Sequence, residues 1–188
     1  MQLRLATLEA IEAAVWIELS RAVRDRSHGW RTPVLATIGT DDKGVFGDAR
    51  TIVLREVDDE LRTLVFFTDS RSPKATQVAT QPRATLAMWS APLGWQLRCR
   101  CLLSIEVEGL AVSSRWQRLK LTPAAQDYLS PLAPGAELPE PHRPGAGSAR
   151  ECFAMVTAQV ESIDWLELHP EGHRRARFDV QGPRWLQP

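Results

Sequence analysis

Apolar residues recur first at helical spacing and then, from Pro33 onward, at the spacing of strands. Leu8, Ile11, Val15, Leu19 and Val23 fall three and four apart, with Glu9, Glu12 and Glu18 at other positions. This predicts an amphipathic helix over about Leu8–Val23, with Thr7 as its N-cap. Val34-Leu35-Ala36-Thr37-Ile38 reads as a strand that turns at Asp41-Asp42-Lys43-Gly44, where glycine tolerates positive φ. Val45–Val57 is the expected return strand, Asp58-Asp59-Glu60 a second turn, and Leu61–Thr68 a third strand. Connections this short exclude parallel crossovers and predict an antiparallel meander. Ser72-Pro73-Lys74 places an N-cap serine before a proline at the first helical position, so a short helix is expected to end near Thr80. Two longer strands follow, about Ala84–Trp89 and Gln96–Val112, around a turn at Pro92-Leu93-Gly94. A helix is expected over Arg115–Leu121, and strand character resumes at Phe153–Ile163 and Arg177–Val180. Six or more antiparallel strands with three helices predict a mainly β protein, built as a closed or partly closed barrel.

Length and composition narrow the function classes. A chain of 188 residues suits one domain with a full-sized core, so residues 1–188 are expected to form a single domain. Lys plus Arg equals Asp plus Glu at 23 each, so no global field draws nucleic acid or an anionic membrane. No apolar run approaches the roughly 20 residues that span a bilayer. Met1–Ala10 lacks the basic-then-apolar pattern of a secretory signal, and a cytoplasmic location is the expectation. Cys99 and Cys101 stand two apart on one strand face and read as buried thiols; His142 and Cys152 follow no metal-ligand spacing, so no metal is expected. Arg21, Arg24, Arg26 and Arg31 gather at the end of the first helix, either as a solvated terminus suited to the helix dipole or as a substrate clamp. Between Pro131 and Gly147 lie five prolines and three glycines, a loop that either covers an active site or simply connects. The sequence holds no Ser-His-Asp or Cys-His arrangement suited to covalent hydrolysis.

The chemistry concentrates between Arg50 and Lys74. Arg50-Thr51-Ile52-Val53-Leu54-Arg55 and Phe66-Phe67-Thr68-Asp69 are apolar runs ending in cationic or hydroxyl side chains, and the second feeds Ser70-Arg71-Ser72-Pro73-Lys74 at a helix start. Strands fix where their side chains point, so cations on neighbouring strands can converge on one small anion. The phosphate of FMN is such an anion; ordinary solvated surface charge is the alternative reading.

With these motifs the chain resembles the pyridoxamine 5′-phosphate oxidase-like FMN-binding split barrels, most closely the related flavoproteins of unsettled substrate. The family's Arg, apolar run and Lys/Arg correspond to Arg50 through Arg55. Its aromatic-Thr-Asn/Asp element corresponds to Phe67-Thr68-Asp69, and its Ser-x-Lys element to Ser72-Pro73-Lys74. The likeness implies that Arg50 and Lys74 bind the FMN phosphate or the nearby ribityl, helped by the hydroxyls of Thr68 and Ser72. It implies that Thr51, Ile52 and Val53 run beside the flavin and that Gln96 contacts it. Trp165 and Arg177, with Arg175 competing, would reach the flavin from the second subunit of a homodimer.

Departures from the family pattern qualify what carries over. Pro73 stands where a second basic residue is usual, with Arg71 as the replacement charge. Arg55 replaces the lysine that meets substrate and becomes the candidate contact for an anionic substrate. No counterpart of the family's Tyr, Arg and Ser substrate-phosphate cluster is evident between Arg115 and Pro134. Arg174-Arg175-Ala176 stands in place of the late Arg-x-His. The expectation is therefore an FMN-dependent oxidoreductase acting on a small molecule other than pyridoxamine phosphate. A non-catalytic FMN carrier is the alternative; a haem-binding barrel using His28, His142, His169 or His173 is a more distant one.

Overall fold

A computed structural model describes residues 4–138, 140 and 152–188. The first helix, α1, spans Leu8–Arg24, with Thr7 Oγ1 accepting from the Ala10 amide at 3.2 Å. Ile11, Val15 and Leu19 on its inner face are fully buried. The hairpin β1 (Val34–Asp41) and β2 (Gly44–Thr51) turns where expected, with Gly44 at φ 121°.

The return strand Val45–Val57 is instead two strands, because β2 stops at Thr51 and β3 spans Leu54–Asp58. The cause is in the backbone. The Ile52 amide donates to Pro33 O at 2.9 Å and the Leu54 amide to Arg31 O at 3.0 Å, which carries the chain out of the first hairpin. Strand β3 then pairs with β4 (Thr63–Asp69) rather than with β2, so the expected simple meander is also corrected.

Helix α2 is Pro73–Thr80, followed by β5 (Arg83–Ser90) and β6 (Trp95–Glu106). The strand expected to run to Val112 ends at Glu106, and α3 spans Leu110–Leu119, starting before Arg115. Gly109, at φ 98°, makes the corner, and Val112, Trp116 and Leu119 give the helix a buried face at steps of four and three. A 3₁₀ helix follows at Pro123–Tyr128, then β7 (Phe153–Glu167), β8 (Arg174–Asp179) and a short β9 (Arg184–Leu186). Of the proline- and glycine-rich segment, residues 139 and 141–147 lie outside the described residues.

The nine strands form one antiparallel sheet in the order β2-β1-β5-β6-β7-β4-β3, with β8 on β7 and β9 on β8. Strand β7 is the hub. Its first half, Phe153–Gln159, pairs with β4, and its second half, Ser162–Glu167, pairs with β8 along the same edge. The path ends in β2 and β3, which only Ile52 and Val53 separate in sequence. The sheet therefore curls back on itself around its core as a split barrel, with a seam at Ile52-Val53.

Leu35, Leu54, Leu86, Leu97, Ile163 and Phe178 fill that core from six strands, against α1. Cys99 and Cys101 do share its inner face, and burial pushes the Cys99 thiol up to about 12 and the Cys101 thiol in the same direction, so both stay protonated. A second cluster, with Phe153, Trp116, Leu119 and Tyr128, clamps α3 and the 3₁₀ helix onto the outer side of β4 and β7. Among the described residues no group of three or more His, Cys, Asp or Glu is placed to hold a metal, and no helix is long and apolar enough to cross a membrane.

Candidate cofactor cleft at the barrel seam

Where the barrel opens at Ile52-Val53, a cleft of about 220 Å³ lies between the link, β4 and the start of α2. Thr51, Ile52 and Val53 line one side, and Phe67, Thr68 and Lys74 another. Lys74 Nζ donates to Thr68 Oγ1 at 3.0 Å, and Thr68 Oγ1 lies 3.2 Å from the fully buried Ser72 Oγ. The N-cap position of Ser72 is as expected, but its hydroxyl turns to Thr68 and makes no capping bond. Burial pushes the Lys74 ammonium below the ordinary lysine range, and the neighbouring charge of Arg50 pushes it further.

Arg50 is drawn to the side of this cleft by β1 and α2. Its guanidinium donates to Gln77 Oε1 at 3.0 Å and to Thr37 Oγ1, and it pairs with Asp48. Gln77 Nε2 donates to Asp48 Oδ2 at 2.8 Å; this bond comes first among the influences that leave the Asp48 carboxyl below its ordinary range.

Arg55 owes its direction to a β-bulge. The β3–β4 register passes from Leu54↔Phe66 to Glu56↔Val65, so Arg55 is the extra, unpaired residue. Bulges re-aim a side chain out of the alternating pattern, and here the effect is to direct Arg55 over the Phe67 ring, 5.8 Å from its centroid. Arg55 Nε is buried without a hydrogen-bond partner among the described residues. The residue borders the seam cleft and also a second, larger cavity of about 540 Å³ between β3, the α1–β1 loop and α3. That cavity holds Arg26, Arg31, Arg115 and Arg118 as well, with Glu56 as its one acid. Arg115 and Arg118 thus come from the stretch up to Pro134 in which no counterpart of the family's Tyr, Arg and Ser cluster is evident. The cavity's cations come from three separate segments.

Other expected site residues lie elsewhere. Gln96 sits on β6, opposite Trp89 and Leu166, outside both cavities. Arg177 shares the Asp164 carboxylate with Arg98 and Arg175, at 3.2, 2.9 and 2.9 Å. So Arg175 and Arg177 are held by one anion, and neither faces the cleft of its own chain. Trp165 has no exposed surface in the single chain; its ring packs edge-on against Trp95 at 5.4 Å, inside the core. The exposed late tryptophan is Trp185, on β9. Arg71, proposed as a replacement charge, is instead paired with Asp69 and donates to the carbonyls of Ser130, Pro131 and Leu132, which ties down the start of the long loop.

The Asp164 cluster has a pH signature. Burial pushes its carboxyl up, but the hydrogen bonds from Arg175 and Arg177 and the charge of Arg98 outweigh this and leave it below the ordinary carboxylate range. A depressed carboxyl stabilises the fold above its unfolded value of about 3.9 and loses that contribution as pH falls through the lower folded value. Acid titration is therefore expected to loosen the β7–β8 pairing only below about pH 4. Asp164→Asn should cost about 1–3 kcal/mol at neutral pH, read by urea denaturation, because three guanidinium groups lose their shared anion. Unchanged stability in that variant would show that the cluster is held by solvent alone.

Comparison with known proteins accords with this architecture. Residues 13–105 match the family described as "Pyridoxamine 5'-phosphate oxidase, FMN-binding domain". A curated relative, the pyridoxine/pyridoxamine 5'-phosphate oxidase of Thermosynechococcus vestitus, is 45% identical over 64 residues, which cover 34% of this chain and 28% of that protein. The crystal structure of a pyridoxamine 5'-phosphate oxidase-related, FMN binding protein from Nostoc punctiforme has a TM-score of 0.71 at 24% identity, covering 99% of this chain and all of that one. PhzG from Burkholderia lata, solved in complex with tetrahydrophenazine-1-carboxylic acid, also gives 0.71, at 18% identity, covering 100% of this chain and 99% of that one. Residues 13–105 thus carry the sequence pattern of the pyridoxamine 5′-phosphate oxidase FMN-binding domain, and the chain has the fold of the pyridoxamine 5′-phosphate oxidase-like split barrels.

Proposed function

We propose that the chain binds FMN at the barrel seam and acts as a flavin-dependent oxidoreductase on a small anionic molecule. The observation that carries this is the meeting of Lys74 and Thr68 in one cleft, with the buried Ser72 hydroxyl behind Thr68 and Arg50 beside it, at the point where the barrel opens. A half-buried ammonium whose charge is disfavoured in place, bonded only to a threonine hydroxyl among the described residues, suits a dianionic phosphate. Thr51–Val53 present backbone along the ring, and Phe67 with Arg55 closes its far end. A bound flavin supplies hydride transfer at N5; the protein's part is to hold the ring, exclude water and orient the substrate through Arg55.

The cleft of about 220 Å³ is below the roughly 300–1,000 Å³ usual for ligand pockets, so one chain supplies only part of a mononucleotide site. A second copy would complete it, with Gln96 and Arg177 on the outer face of β6–β8 contributing from the partner side. This reading makes the protein a homodimer with two flavins at its interface. If so, FMN should tighten the dimer, because a ligand stabilises the state that binds it. Sedimentation of the protein with and without FMN checks this, and an identical dissociation constant would remove the bridging site.

The visible spectrum of the purified protein tests the cofactor: two flavin bands are expected. Stopped-flow reduction by NADH or NADPH then separates an enzyme from a carrier, since a flavin inert to every donor would favour the carrier. Haem fits the described residues poorly. His28 is bonded to Glu18 at 2.9 Å, His169 and His173 bond within their own turn, and none of the three lines either cavity.

A further inference from the structure

The larger cavity carries more positive charge than holding a cofactor phosphate explains. Of its five arginines, Arg115 is neutralised by Glu56, with bonds of 2.9 and 2.6 Å. Arg31 is spent on the end of α1, donating to Val23 O and to Ala22 O at 3.4 Å. Arg26, Arg55 and Arg118 have no carboxylate partner among the described residues. They come from three elements, the α1–β1 loop, the β3 bulge and the last turn of α3, so no single helix terminus accounts for their meeting. Arg55 Nε adds a buried donor with nothing to bond among the described residues. Between the cations the wall is largely apolar, formed by Val53, Phe67, Leu119, Pro123 and Ala124 with Thr122 among them. Burial pushes Arg31 below the ordinary guanidinium range, and the neighbouring charges of Arg55 and Arg26 add to it.

We infer that this cavity is the substrate pocket, and that its substrate class is an apolar-bodied organic anion carrying two anionic groups. One group is met by Arg55, which borders both cavities, and the other by Arg26 and Arg118. A single monoanion would satisfy Arg55 and leave the remaining cations repelling each other, whereas two groups joined by a hydrophobic body match both the charge and the lining. The inference rests on the proposed flavin site only for which wall the cofactor would form; the pocket's own residues are separate from Lys74, Thr68 and Ser72.

The test uses the FMN-loaded protein at low ionic strength, with benzoate and benzene-1,3-dicarboxylate as probes, read by calorimetry and by the flavin difference spectrum. The dicarboxylate is expected to bind about tenfold more tightly or better, since each charge-assisted hydrogen bond contributes about that factor. In R26Q/R118Q the dicarboxylate should fall to the affinity of benzoate with FMN content unchanged; both side chains are exposed, so the fold is not at stake. Equal affinity for the two probes, no measurable dicarboxylate binding, or a preference that survives the double substitution would each overturn the inference. If the protein takes up no FMN, the flavin reading fails instead, and the same calorimetric comparison on the cofactor-free protein still decides the pocket.

Discussion

Arg50→Ala combined with Lys74→Ala is expected to abolish FMN retention while leaving the barrel folded. A hydrogen bond to a charged group contributes about 1.5–3 kcal/mol, so removing both cations should weaken FMN by roughly two to four orders of magnitude. Co-purified flavin would then be lost during purification. The fold should survive because the groups Arg50 leaves behind still bond one another. Thr37 Oγ1 donates to Gln77 Oε1 at 2.6 Å, and Gln77 Nε2 donates to Asp48. Lys74 contributes little to the fold, having only Thr68 as a hydrogen-bond partner among the described residues. Its pH behaviour separates the two roles. With the folded pKa below the ordinary lysine value, the ammonium is a cost at neutral pH, and the cofactor-free protein should gain stability as pH rises through the depressed value toward about 10.4. Lys74→Met should erase that rise, and bound FMN should do the same by restoring the ammonium. Thermal unfolding at neutral and alkaline pH, with and without FMN, measures all three. Full flavin content in the double variant would remove the phosphate assignment outright.

The parts of the architecture legible in sequence are those decided locally. Leu8–Val23 shows its buried stripe, the Asp41–Gly44 turn needs its glycine, and the Pro73 helix start follows from ring geometry. The failures share one cause, which is that long-range pairing settles where a strand ends. Val45–Val57 is a continuous strand pattern, and only the bonds of Ile52 and Leu54 to the Arg31–Pro33 backbone cut it in two. That cut is what makes the seam, so the least legible step of the fold is also the one that positions the site. Local motifs marked Lys74, Thr68 and the Ile52-Val53 link, which meet in one cleft. The larger cavity draws its arginines from segments distant in the chain, and the bulge that aims Arg55 leaves no local signal. Arg26 and Arg31 had two open readings, solvated helix end or clamp. The structure gives Arg31 the capping role and leaves Arg26 at the cavity rim with no carboxylate partner among the described residues.

Trp165 shows how a family position can be occupied by the expected residue in an unexpected setting, and its substitution carries the second large effect. Trp165→Ala should destabilise the protein by about 3–5 kcal/mol, the range for truncating a large buried aromatic, because the neighbouring strands cannot collapse into the space. Its neighbours are Trp95 on β6 and, 5.6 Å away over the other part of the ring, the Arg174 guanidinium. Trp165 Nε1 is buried without a partner, so the indole already bears a desolvation cost that phenylalanine would not. Trp165→Phe trades some packing volume for relief of that cost and should lose much less, about 1–2 kcal/mol. Flavin content then separates packing from cofactor contact. A core residue predicts that Trp165→Phe keeps FMN at the parental ratio, with only a lower unfolding midpoint in urea. A residue touching the flavin predicts the reverse, a folded protein that has lost its colour. That second outcome would mean that β7 presents a different face in the assembled dimer from the one it presents in the single chain.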